Sequence, residues 1–283
     1  MKVSGTQTIK QRLMNHTKLS ISLVVIAFTL LLGGIAVGFL VNQTNKIQDE
    51  QTMYVEQQIA TWYAERMAEI SSIRTTIENY DMTSNPEYDL QGYLAKMLTD
   101  NESKGIYDYY VGMNDTTCYF GGGWKPAPGE YDPTSRDWYQ KAVAIDNFYV
   151  SEAYVDAETG RIVITISVPI HENGNIVGVL ATDIFTDDIQ NIATSAFKEK
   201  DSKYVVLVDS AGTVIAHKNA AYKPVADEEG NENYTTYQDA RIPEKVINTS
   251  ELKRAVGRDY KGFVRVYTGL NIDAADTSVI VVD

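Results

Sequence analysis

Residues Leu19 to Val41 read LSISLVVIAFTLLLGGIAVGFLV, 23 in succession without a charge. At about 1.5 Å per residue such a helix spans a hydrocarbon core of roughly 30 Å with some tilt. A cleavable signal peptide has an apolar region of only about 7–15 residues and a small-residue exit site. Neither is present here, so the segment reads as a retained membrane anchor. The preceding stretch, residues 1–18, carries Lys2, Lys10, Arg12 and Lys18 and no acid. Positive charge stays on the cytoplasmic side, which places the N-terminus in the cytoplasm and residues 42–283 outside the cell membrane.

Charge then narrows the function classes. Taking those four cations from 25 basic residues leaves 21 against 38 acidic ones, a net −17 outside. A nucleic-acid binder needs the opposite balance, and a second polybasic contact with anionic lipid is not expected. One cysteine, Cys118, cannot form an internal disulfide. His16, His171 and His217 are too scattered for a metal site, and no cofactor is expected.

Beyond the anchor, residues 42–80 lack Pro and Gly and space apolar residues helically: Ile59, Trp62, Ile70, Ile73, Ile77 and Tyr80. The stripe predicts a rod about 60 Å long. Glu65, Arg66 and Glu69 interrupt it. Residues 81–200 then predict a helix over Tyr88–Leu98 and strands over Tyr107–Met113, Thr117–Phe120, Phe148–Val155, Arg161–His171 and Asn175–Ile184. A helix is expected at Thr134–Ala144 and another at Thr186–Phe197. Short loops between β-branched runs imply antiparallel pairing, with helices on one side of the sheet. Residues 201–283 predict a smaller unit with a hairpin, Tyr204–Val208 and Thr213–His217. A polar stretch, Lys218–Asp239, a helix near Pro243–Ala255 and strands Phe263–Tyr267 and Thr277–Val282 follow. The fold class is α+β.

Catalytic motifs are missing: the chain has no GxSxG and no HExxH, so an enzyme is not expected. Gly121-Gly122-Gly123 is followed by Trp124-Lys125-Pro126 and reads as a turn, not a phosphate loop. The informative run is Tyr131-Asp-Pro-Thr-Ser-Arg136-Asp-Trp138-Tyr139, one fixed cation among three aromatics. Tyr154 stands at a strand end, and Asp183 ends an otherwise apolar strand. Buried ions need counter-ions or strong hydrogen bonds. Arg136 and Asp183 therefore either pair with each other or hold a small zwitterion between them. In the second case Arg136 takes a carboxylate, Asp183 an ammonium, and the aromatics close the pocket.

An anchor, a long helix and two PAS-like modules in this order resemble the double-Cache extracytoplasmic sensor domains of bacterial receptors. The resemblance covers about residues 43–283. Its amino-acid-binding subgroup uses a Tyr, an Arg, a Trp-Tyr pair, a later Tyr and a final Asp, matched here by Tyr131, Arg136, Trp138, Tyr139, Tyr154 and Asp183. The resemblance implies that Arg136, Trp138 and Tyr139 hold a ligand carboxylate and that Tyr131 and Asp183 hold its amine. Tyr107, Tyr110 and Asp156 are candidates for contacts to the ligand side chain. It further implies an L-amino acid ligand, a homodimer and a methyl-accepting chemotaxis receptor with a second span beyond Asp283. Sensors of histidine kinases or cyclic-dinucleotide enzymes are alternatives within the resemblance. A pilin-like structural protein is another reading, but it wants an acid inside the apolar segment, and Leu19–Val41 has none.

Overall fold

The structure is a computed structural model that describes residues 8–101, 106–197, 202–227 and 231–283. It divides into two compact units, Met1–Asp49 and Glu50–Asp283. In the first, helix α1 (Ile9–Asn79) begins and carries the apolar segment, whose side chains are exposed all round. A helix apolar on every side suits a hydrocarbon surround. Among the described residues it is the one helix long and apolar enough to cross a membrane.

Within the second unit, α1 buries Thr52, Val55, Ile59, Tyr63, Arg66, Ile70, Ile73 and Ile77. Steps of three and four residues keep these on one face. Tyr63 takes the buried place expected of Trp62, which is half-buried, and Tyr80 lies beyond the helix end, exposed. Arg66 does not interrupt the stripe but belongs to it. It pairs with Glu69 at 3.1 Å and lies 5.6 Å from the Trp62 ring centroid. Asp81, in the left-handed region at φ 46°, ends the helix.

Helix α2 (Leu90–Asp100) leads to a first sheet. Its strands are β1 (Asp108–Met113), β2 (Cys118–Phe120), β3 (Tyr149–Val150), β4 (Tyr154–Val155), β5 (Ile162–Glu172) and β6 (Asn175–Phe185). The order is β2-β1-β6-β5-β3, with β4 also on β5, and every pairing is antiparallel. The strand expected over Phe148–Val155 is thus two short pieces with a strap between them. The two-residue turn between β5 and β6, Asn173 (φ 51°) and Gly174 (φ 80°), has the positive φ pair that matches strand twist.

Alternation splits this sheet cleanly. Tyr109, Val111, Ile164, Ile166, Leu180 and Ile184 share a core with α1 and α2. Tyr110, Val179 and Ala181 pack on the other side against Trp138, Tyr139 and Ala142 of α3 (Asp137–Ile145). Helices therefore cover both faces, not one. The near-continuous burial of β5 is the pattern of a two-sided strand.

After α4 (Thr186–Ser195) comes a second antiparallel sheet of β7 (Tyr204–Val208), β8 (Val214–Ala216), β11 (Lys253–Arg258), β12 (Val264–Ile272) and β13 (Thr277–Val282). Its order is β11-β12-β13-β7-β8. One face, with Val205, Leu207, Val279 and Val281, joins the α1 core, and the other builds its own with Val206, Tyr267 and Ile280. The polar stretch contains a small hairpin, β9 (Val225–Ala226) and β10 (Glu232–Asn233). The helix expected near Pro243–Ala255 is absent. A single 3-10 turn, Glu244–Val246, is followed by Asn248 at φ 47° and then by β11. One long-range and one local polar bond win over helix propensity there: Asn248 N–H donates to Ser278 Oγ of β13 at 2.8 Å, and Thr249 Oγ1 to the nearby Glu251 carbonyl at 2.7 Å.

Candidate ligand-binding site

The site begins as a row across the first sheet. Asp108 on β1 stands opposite Asp183 on β6, which stands opposite Thr165 on β5. Opposed residues point to the same face, here the face that α3 covers. Asp183 Oδ1 accepts from Tyr110 Oη at 2.7 Å and from Thr165 Oγ1 at 2.5 Å. Tyr154 Oη lies 2.6 Å from Thr165 Oγ1. Because that hydroxyl spends its proton on Asp183, Tyr154 is the donor to it. Both bonds to Asp183 land on Oδ1, which leaves Oδ2 for another partner.

Opposite the row, the Tyr131–Tyr139 run folds by its own local chemistry. Asp132 Oδ1 caps a 3-10 turn, Pro133–Ser135, by accepting from the Thr134 N–H at 2.9 Å, and Pro133 supplies the pre-set first position. Arg136 then holds the cap position of α3 with extended backbone (φ −86°, ψ 144°), so its side chain is not committed to the helix face. Its Cζ lies 5.6 Å from the Tyr131 ring centroid, and among the described residues it forms no ion pair. Arg136 and Asp183 do not pair with each other.

Between these parts lies a narrow cavity of about 10 Å³, room for about one water molecule as the side chains stand. Tyr131, Arg136, Tyr154 and Asp183 line it. So do the three side-chain candidates, Tyr107, Tyr110 and Asp156. Trp138 instead lines an adjoining open hollow, which Arg136 and Tyr154 share. Tyr139 lines neither; it is 7% exposed and packs edge-on against Trp138 at 5.7 Å between centroids. Sequence reasoning missed Asp108, Phe120, Trp124 and Glu158 in the lining, and Thr165 behind it. The signal that marked Asp183, an acid on an otherwise apolar strand, was also present for Asp108. Thr165 carried none, because a β-branched residue is what any strand prefers.

Burial dominates the electrostatics. It pushes the Asp183 carboxyl up to about 7, against the hydrogen bonds from Thr165 and Tyr110 that favour ionisation. Asp108, 2% exposed, is likewise pushed up to about 7 by burial, and the charges of Asp183 and Glu158 add to this. The charge of Asp183 thus adds to the cost of ionising Asp108. The pair attracts a cation strongly, since an arriving positive charge removes the cost of ionising both. Among the described residues no group of three or more His, Cys, Asp or Glu could hold a metal ion.

Comparison with known proteins adds three findings. Residues 39–260 match the profile of a Cache domain. The methyl-accepting chemotaxis protein PscA of Pseudomonas syringae pv. tomato is 31% identical over 93 residues, which cover 33% of this chain and 15% of PscA. The methyl-accepting chemotaxis protein McpB of Bacillus subtilis is 32% identical over 129 residues, 42% of this chain and 19% of McpB. Each match thus spans less than a fifth of the relative's length. In fold, the chain is similar to the ligand-binding domain of the amino-acid chemoreceptor PctC of Pseudomonas aeruginosa, solved with GABA. That pair has a TM-score of 0.65 and 21% identity over 84% of this chain and 99% of the other. The ligand-binding domain of the chemoreceptor CtaA of Pseudomonas fluorescens, solved with L-serine, gives 0.64 and 20% over 85% and 95%.

Proposed function

The chain belongs to the Cache domain family, and from that membership we propose that it is the extracytoplasmic sensor of a bacterial membrane receptor that binds L-amino acids. The methyl-accepting chemotaxis proteins among its relatives support a chemoreceptor as the whole protein. The N-terminus is then cytoplasmic, residues 42–283 lie outside, and a homodimer carries the signal. Residues 81–200 form the ligand-binding module and 201–283 the module nearer the membrane.

One observation carries the ligand class: an unpaired Arg136 and a buried Asp183 line the same cavity without meeting. Arg136 offers a planar fork to a carboxylate. Asp183, its Oδ1 already held by two hydroxyls, offers Oδ2 to an ammonium. Tyr131 and Tyr154 close the sides, Trp138 extends the wall beside Arg136, and Tyr139 holds Trp138 in place from behind. The ligand's own charges replace the counter-ions that the protein does not supply.

Melting of the detergent-solubilised chain across the common L-amino acids tests this, since a ligand at about 100 times its Kd adds about 2.7 kcal/mol. Losing one partner of a buried charge pair costs about 2–5 kcal/mol. Arg136→Ala and Asp183→Asn should therefore each abolish binding at roughly millimolar ligand while the protein stays folded. A plain amine or a plain carboxylate binding as well as any amino acid would defeat the proposal.

A further inference from the structure

The cavity carries more negative charge than a zwitterion needs. An amino acid's carboxylate and ammonium are met by one cation and one acid, yet among the described residues Asp108, Asp156, Glu158 and Asp183 all line the space with Arg136 as the one cation. The protein accounts for most of this excess. Asp183 receives Tyr110 and Thr165. Asp156 Oδ2 receives the Thr159 N–H at 2.7 Å and its O–H at 2.6 Å. Glu158 is exposed, where water serves it.

Asp108 is the exception. It is 2% exposed, and its Oδ1 accepts from the Gly122 N–H at 2.7 Å. Its Oδ2 is buried with no hydrogen-bond partner. A buried carboxylate oxygen without a donor is among the costlier things a fold can keep, and a binding site is where such a cost finds its return. Beside it stand Phe120 and Trp124, with ring centroids 4.8 Å apart, and Tyr131, 5.1 Å from Trp124. Aromatic faces of this kind cover a methylene stem and attract the cation at its end.

We propose that the ligand is a cationic L-amino acid, whose side-chain ammonium or guanidinium is taken by Asp108, with Glu158 at the mouth of the cavity. This rests on the amino-acid reading above and narrows it. The register of β1 and β6 supports it, because Asp108 and Asp183 are nearest neighbours across the ladder. One ligand can then reach both, its α-ammonium on Asp183 and its second charge on Asp108. Burial together with the charge of Asp183 also keeps a proton on or near Asp108 while the cavity is empty, and the ligand's cation takes over that role.

Calorimetric titration of the full chain in detergent tests the assignment with L-lysine, L-ornithine and L-arginine against the uncharged analogues L-norleucine and L-norvaline. At least one cationic ligand should bind about 30-fold or more tightly than both analogues, the margin expected of a buried ion pair. Asp108→Asn should erase that margin, bringing lysine, ornithine and arginine to within a few fold of norleucine and norvaline in the same variant. Glu158→Gln, at an exposed position, should reduce it by only a few fold. Norleucine binding as tightly as lysine, ornithine and arginine in the unaltered chain overturns the inference without needing any variant to fold, and means that Asp108 and Asp183 share a single α-ammonium. A margin that survives in Asp108→Asn overturns it too. If no amino acid binds, whatever its charge, the amino-acid reading itself has failed.

Discussion

Asp108 and Asp183 face each other in register across the β1–β6 ladder, two buried carboxyl groups on one face of a sheet. Like charges directly opposite destabilise a strand pair. An arrangement of this kind persists where a proton or a cation normally lies between the two groups, so the fold stores a demand for positive charge at this point.

Stability should fall as pH rises through neutrality in the absence of ligand. Both carboxyls sit at about 7 when folded, against an ordinary 3.8, so between those values the native state holds more protons than the unfolded one. Their stabilising effect is present on the acid side and is lost as pH climbs through about 7. His217, which burial lowers from 6.5 to about 4, works the other way below its ordinary value. The window to read is therefore about pH 6.5 to about pH 8. Melting temperature should drop across it, and Asp108→Asn should flatten the curve. An unchanged slope in that variant contradicts the account. A cationic ligand should bind more tightly as pH rises over the same range.

Thr165 works through Asp183. Thr165→Val keeps the shape but removes the O–H that Asp183 accepts and the oxygen that Tyr154 uses. Leaving buried polar groups unpaired costs about 1–3 kcal/mol. Ligand affinity should fall by about tenfold or more, whereas Thr165→Ser should bind nearly as well as the original. Equal loss in the two variants would show that packing, not the hydroxyl, matters.

The strap between β3 and β4 carries Tyr154 to the cavity and is tied to the second sheet's connections. Tyr234 Oη donates to the Ala153 carbonyl at 3.0 Å, and the Val155 N–H donates to Glu232 Oε1 at 2.9 Å. A net hydrogen bond contributes about 1 kcal/mol. Tyr234→Phe and Glu232→Ala should each weaken ligand binding several-fold, although neither residue lines the cavity. Titration should show this with little change in melting temperature without ligand. Full affinity in both variants would mean that the strap holds its place without them.

Topology is open to a direct check. A reporter fused to the N-terminus should be cytoplasmic, and one inserted after Val41 should lie outside. Replacing Lys10, Arg12 and Lys18 by neutral residues should weaken or invert that orientation. External protease reaching an N-terminal tag in intact cells would overturn the assignment.

What the sequence determined by itself is whatever depends on near neighbours. Leu19–Val41 declares its surround by length and lack of charge. The helical stripe through Ile59, Ile70, Ile73 and Ile77 and the alternation in β5 and β6 are read from periods of about 3.6 and 2. The Tyr131–Tyr139 run brings its own cap and turn, so Tyr131, Arg136, Trp138 and Tyr139 could be picked out together. Local reading failed where a long-range partner outweighed it. Pro243–Ala255 is not a helix, because Asn248 bonds to Ser278 of β13 and the chain joins a sheet edge instead. Arg66 sits in the buried stripe because Glu69 and Trp62 meet it there. Only the tertiary structure decided that Asp108 and Thr165 flank Asp183, that Arg136 stays unpaired, and that Trp138 and Tyr139 turn towards different surroundings. For Asp108, Asp183 and Thr165 the reason is register: a one-residue slip in either ladder would send their side chains to the opposite face. That alignment is set by the packing of both faces of the sheet at once, on α1 and α2 on one side and on α3 on the other.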